Sequence, residues 1–140
     1  NRYRTINREK LDFQDLIKVL NQQGTLQQHV FDGYINMLKV RAFESFGVFS
    51  PIGGQAILDI DKRLFSVLRK APDSRACALC VTSVTAEPID FELNDLPISF
   101  TAIKNGSLLL ARNSAFKLTP HKQTIQIGPY GALWLLGEVN

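Results

Sequence analysis

With 140 residues, 45% of them hydrophobic and 21% charged, the chain is long enough for one self-sufficient core and has the polarity of an ordinary globular domain. No apolar run approaches the ~18 residues of a membrane-spanning helix, so no membrane partner is expected. A net charge of +3, from 16 basic and 13 acidic residues, is too small to dictate a polyanionic partner.

The N-terminus concentrates Arg2, Arg4, Arg8 and Lys10. Such a basic end suits phosphate or nucleic acid. No aromatic interleaving or nucleic-acid motif accompanies it, so it reads as a solvated terminus with no nucleic-acid partner. The chain starts at Asn1, with neither an initiator Met nor a signal segment, which is the expectation for a piece of a longer protein. Asp12 is placed to cap a first helix, with Asp15 adding negative charge to its first turn. Phe13, Leu16, Ile17 and Leu20 recur at helical spacing, and Gly24 ends the run. A longer helix begins near Thr25 and carries Leu26, Val30, Phe31, Tyr34, Ile35, Met37 and Leu38. That apolar stripe is too broad for one light contact, so both helices need a partner surface.

Pro51 lacks an amide hydrogen, so the second helix must end by about Phe46, and Gly53-Gly54 allows the turn into a strand. From Ala56 the hydrophobic period is two. Ala56, Leu58 and Ile60 share one face; Asp61-Lys62-Arg63 turns the chain; Phe65 and Val67 then lie opposite Leu64 and Leu68. Residues 76–84 are almost continuously apolar or small, as in a central strand covered on both sides. Ile89, Phe91 and Leu93 alternate with Asp90 and Glu92 in an outer strand. Asn105-Gly106 is a hairpin signal, and short runs follow at 115–118, 124–127 and 132–136. Seven or eight short strands at this spacing predict a mainly β fold, an antiparallel Greek-key sandwich preceded by two α-helices. The expected division is a helical segment at 1–47 and a β-sandwich at 48–140.

Catalysis needs polar groups that converge, and the spacing assembles none. His29 falls on a helix and His121 in a turn after Pro120, with nothing to link them as metal ligands or as a nucleophile and base. Asp59 with Asp61, and Asp90 with Glu92, are paired carboxylates on strands and read as solvated outer faces. Gly53-Gly54 lacks the Lys and Ser/Thr of a phosphate loop. Cys77 and Cys80 lie three apart in a strand, so their side chains point to opposite faces as buried small hydrophobes. Two free thiols fit a reducing, cytoplasmic setting. Tyr130 and Trp134 have the makings of a sugar-stacking platform, but Trp134 alternates in phase with Ala132 and Leu136 in a strand apolar on both sides, as a core residue does. Accordingly, no catalytic residue, no metal site and no cofactor are assigned within the chain.

Three motifs in order nevertheless carry a resemblance. Arg4-Thr5-Ile6-Asn7-Arg8, then Phe49-Ser50-Pro51-Ile52-Gly53-Gly54-Gln55 after two helices, then Gly128-Pro129-Tyr130-Gly131-Ala132-Leu133-Trp134-Leu135 resemble the C-terminal end of sucrose-phosphorylase-type members of the α-amylase superfamily. The motifs differ from the family's usual residues at Thr5, Ser50 and Gly131, which leaves the sugar unspecified. The resemblance implies that residues 1–47 are the loop after the eighth barrel strand plus the last barrel helices, and that the rest is the β-sandwich called domain C. It implies a retaining parent enzyme, whose aspartate nucleophile and glutamate acid belong to earlier barrel strands, with phosphate or water as glucosyl acceptor. Arg4 then lies at the barrel mouth as a substrate- and phosphate-binding residue, where the guanidinium fork matches paired phosphate oxygens. On this reading the chain alone is inactive and its partner is the missing (β/α)8 catalytic domain, with self-association through the exposed helices when that domain is absent. The alternative is a free-standing β-sandwich module that binds glycans or a protein.

Overall fold

The computed structural model describes residues 12–43, 46–72, 76–102, 108–118 and 123–139. Contacts divide the chain into two compact units, Asn1–Lys39 and Val40–Asn140. Two helices come first, α1 at Phe13–Asn21 and α2 at Leu26–Phe43. As expected from its type and position, Asp12 caps α1, its carboxylate accepting from the amides of Gln14 and Asp15 at 2.8 and 3.2 Å. Gly24, at φ +81°, makes the turn after α1, and the Thr25 hydroxyl oxygen accepts from the Gln28 amide at 3.2 Å to start α2. No side chain of either helix is buried.

Among the described residues, seven strands form one antiparallel system: β1 (Gly54–Leu58), β2 (Leu64–Lys70), β3 (Ala76–Ser83), β4 (Ile89–Glu92), β5 (Phe100–Ala102), β6 (Leu108–Leu118) and β7 (Gln123–Val139). The main path runs β1-β2-β3-β7-β4, with β5 and β6 also paired to β7. The jump from β3 across β7 to β4 is the Greek-key step anticipated from the strand pattern. Unlike the expected run of short strands, β6 and β7 are long and bent. The N-terminal half of β7 lies between β4 and the second half of β6; its C-terminal half lies between β3 and the first half of β6. Both strands therefore serve two layers, and one core is enclosed between them.

That core takes Leu58, Leu64, Leu68, Cys77, Leu79 and Val81 from one layer and Ile89, Ile125 and Ile127 from the other. Burying a Leu or Ile of this kind stabilises the fold by about 1.5–3 kcal/mol. A second, smaller cluster of Val48, Ala71, Ala76, Ala78 and Leu136 covers part of the outer face of β2, β3 and β7. β3 is thus covered on both sides, as its unbroken apolar sequence requires. Asn105-Gly106 lies outside the described residues; the strands on either side of it, β5 and β6, each pair with β7.

Candidate functional site: the junction of the sheet motifs

The second and third motifs meet in space. Gly47, at φ +71°, precedes a turn in which the Ser50 amide donates to the Gly47 carbonyl at 3.0 Å, and the Gly53 amide donates to the Ser50 carbonyl at 3.2 Å. Val48 is fully buried in the outer cluster. Phe49 packs beside it and meets Trp134 with ring centroids 5.1 Å apart at 47°. A Cβ on Gly53 would lie 2.2 Å from the Lys70 carbonyl oxygen, so only glycine lets the segment press so closely on β2. Arg69, on β2, reaches across it: Nε donates to the Val48 carbonyl at 3.3 Å, Nη2 to the Ser50 carbonyl at 3.1 Å, and Nη1 to Gln55 Oε1 at 3.1 Å. A guanidinium can do this because its donors are fixed in a planar fork.

The third motif builds the bend in β7. Asn113 and Tyr130 both hold positive φ, +47° and +51°, an uncommon conformation that must be held by its surroundings. Asn113 Nδ2 donates to the Pro129 carbonyl at 2.7 Å, and the Tyr130 amide donates to the Thr85 carbonyl at 2.9 Å. A Cβ on Gly131 would lie 2.5 Å from the Asn113 carbonyl oxygen. Tyr130 is exposed while Trp134 is half-buried under Phe49, so the two do not form a stacking platform.

The remaining candidates stay apart. Arg4 and its motif, and His121, lie outside the described residues. His29 is exposed on α2. Asp61 is engaged by Arg63, whose Nη2 and Nε donate to its two oxygens at 2.8 and 3.0 Å while the Arg63 amide donates at 2.8 Å. These bonds hold the Asp61 carboxyl at about 2, well below the usual range. Arg63 also bridges to Glu87 at 3.1 Å. Asp90 accepts from Gln126 Nε2 at 3.2 Å. Cys77 faces the inner core and Cys80 the outer cluster, on opposite faces as the strand spacing requires; burial pushes the thiols up to about 11 and 12. Among the described residues no group of His, Cys, Asp and Glu is arranged to hold a metal ion. Sequence reading missed Arg69 and Asn113; a cation in the apolar alternation of β2 was the available signal for the first.

No family model matches the chain. Over 137 residues it is 31% identical to the glucosylglycerate phosphorylase of Spirochaeta thermophila, covering 94% of this chain and 23% of that protein. It therefore spans less than a quarter of the length of this curated relative. In fold it is similar to an α-amylase from H. orenii (TM-score 0.56, 15% identity, 87% of this chain and 22% of that one). The trehalose-6-phosphate hydrolase of Bacillus licheniformis gives TM-score 0.55 at 18% identity, covering 87% of this chain and 20% of that one. An isomaltulose synthase from Erwinia rhapontici NX5 gives 0.58 at 15%, covering 79% and 18%. The chain is thus similar along almost its whole length to a short part of a glucosylglycerate phosphorylase and shares its fold with part of α-amylase-family enzymes, consistent with the C-terminal region of such an enzyme.

Proposed function

We propose that this chain is the non-catalytic C-terminal part of a retaining α-glucosyl-transferring enzyme, and that its sandwich, residues 48–140, stabilises a (β/α)8 catalytic barrel to which residues 1–47 belong. The observation that carries this reading is the match along 94% of the chain to under a quarter of a phosphorylase. The two helices support it: Val30, Tyr34 and Phe43 are 60%, 61% and 82% exposed, as befits helices whose packing partner is another part of a longer protein. In that protein an aspartate of the barrel forms the covalent glucosyl intermediate and a glutamate protonates the leaving group. Phosphate is the acceptor, in keeping with the curated relative, and the donor is an α-glucoside such as glucosylglycerate or sucrose. Arg4 contributes to the phosphate pocket through its paired donors.

An antibody raised against this chain tests the reading on lysate of the source cells. The expected result is a species several times larger than 140 residues that, once isolated, forms glucose 1-phosphate from glucosylglycerate or sucrose only when phosphate is present. A native species of the chain's own size, or an isolated species inert towards α-glucosides, overturns it.

A further inference from the structure

Among the described residues, β1, β4, β5 and β6 each have a single strand neighbour, so each presents one edge to which another strand could add. Short length, charged side chains and bulges are the means by which a sheet edge is kept from capturing a strand. β4 has four residues and bears Asp90 and Glu92; β5 has three residues; β6 is broken by register shifts at Leu108/Leu110 and Arg112/Ser114 and bears Arg112 and Lys117. β1 has none of these protections. Its five residues, Gly54-Gln55-Ala56-Ile57-Leu58, carry no charge and no proline and pair with β2 in unbroken register from Gly54–Lys70 to Leu58–Ser66. Gly54 to Ile57 are exposed, Ile57 at 78%. Phe65, also exposed, stands on the same sheet face as Ile57, because Ile57 is paired with Val67 and side chains alternate along β2. In an antiparallel pair, alternate residues turn their N–H and C=O groups away from the partner, so about half of the β1 backbone groups point outward.

We propose that the open edge of β1 is a docking site for one further strand, supplied by an extended, uncharged segment of the longer protein. The segment's backbone bonds to the outward N–H and C=O groups of residues 54–58, and an apolar side chain of it lies beside Ile57 on the face that carries Phe65. With no charge on β1 to attract or repel a partner, backbone pairing and this apolar contact select the occupant. A separate molecule suits the edge poorly. Five residues make a small contact beside the roughly 1,200–2,000 Å² of a stable complex, whereas a segment of the same polypeptide arrives at high effective concentration. The inference rests on the function proposed above for the source of the segment, since this chain spans only 23% of its curated relative and the rest of that length lies outside it.

Hydrogen exchange resolved to single amides across residues 54–58 of the longer protein tests this. Every amide of β1 is expected to exchange at least about a hundredfold more slowly than a free amide, because both edges of the strand are bonded. In the 140-residue chain by itself, the outward amides should exchange near the free rate and the amides bonded to β2 should stay slow. Ile57→Lys places on the edge the kind of charge that blocks pairing. In the longer protein it should speed the outward amides about tenfold and leave the amides bonded to β2, and the phosphorolysis rate, unchanged. Outward amides that exchange near the free rate in the longer protein overturn the proposal, as does equal protection in the 140-residue chain or no acceleration by Ile57→Lys. If Ile57→Lys does not fold, the exchange pattern of the native longer protein decides alone. A longer protein that phosphorolyses α-glucosides but leaves these amides fast sinks the strand and keeps the function; a native species of only 140 residues sinks both.

Discussion

Phe49 and Trp134, far apart in sequence, face each other with ring centroids 5.1 Å apart at 47°, and this contact joins the two motifs that carry the family resemblance in the sheet. Tilted aromatic pairs of this kind contribute about 0.5–1.5 kcal/mol beyond the area they bury. Phe49→Ala and Trp134→Ala are therefore expected to be non-additive, with a coupling of about 1 kcal/mol in a double-mutant cycle followed by urea unfolding. Strictly additive losses would mean that the rings touch without supporting one another.

Gly131 is where the bend of β7 tolerates no side chain, since its Cβ would lie 2.5 Å from one backbone oxygen and 2.9 Å from another. Gly131→Ala is expected to destabilise by roughly 3 kcal/mol or more, at the severe end for single substitutions. The midpoint of chemical unfolding measures it. A shift no larger than that of an exposed substitution would show that the bend has room to relax.

Among the described residues, Ser66 Oγ is a buried polar atom without a hydrogen-bond partner, in a strand otherwise facing Leu58 and Val81 across the ladder. A buried hydroxyl left unpaired costs about 1–3 kcal/mol. Ser66→Ala should consequently leave stability unchanged or raise it by about 1 kcal/mol, against the usual direction of core truncation. A clear loss would reveal a partner for the hydroxyl.

Asp61 sets an acid limb. Its folded-state carboxyl is held at about 2 against an ordinary 3.8, chiefly by the Arg63 side chain and then by the Arg63 amide. A lowered folded-state value means that the contribution is fully present above pH 4 and is lost as the pH falls through about 2. Carboxyl NMR should place the Asp61 midpoint near 2, and Arg63→Gln should return it towards 3.8. Asp61→Asn should flatten that part of the stability profile, with little effect at neutral pH because the bridge is solvent-screened.

The helices give a prediction about association. With Leu26, Val30 and Tyr34 exposed along α2, the 140-residue chain by itself is expected to self-associate, and Val30→Glu with Tyr34→Lys should return it to a monomer in light scattering. A monomeric chain before substitution would count against a missing partner for these faces.

What was legible in the sequence was what local chemistry dictates. Asp12 and Gly24 bound α1 because capping and positive φ are single-residue properties; Pro51 separates helix from strand because it lacks an amide hydrogen; period-two alternation placed β2 and β4, an unbroken apolar run placed β3, and the strand's two-residue repeat set Cys77 and Cys80 on opposite faces. What only the tertiary structure decided depends on residues distant in the chain. The bends that let β6 and β7 serve two layers rest on Asn113 meeting Pro129 and on Thr85 holding Tyr130. The placing of Arg69 over the Val48 and Ser50 carbonyls, and of Phe49 on Trp134, required the sheet to exist first. Hydrophobic period states which face is buried, not which distant segment will cover it, because burial is non-directional whereas a strand bend and a guanidinium fork are specific in geometry.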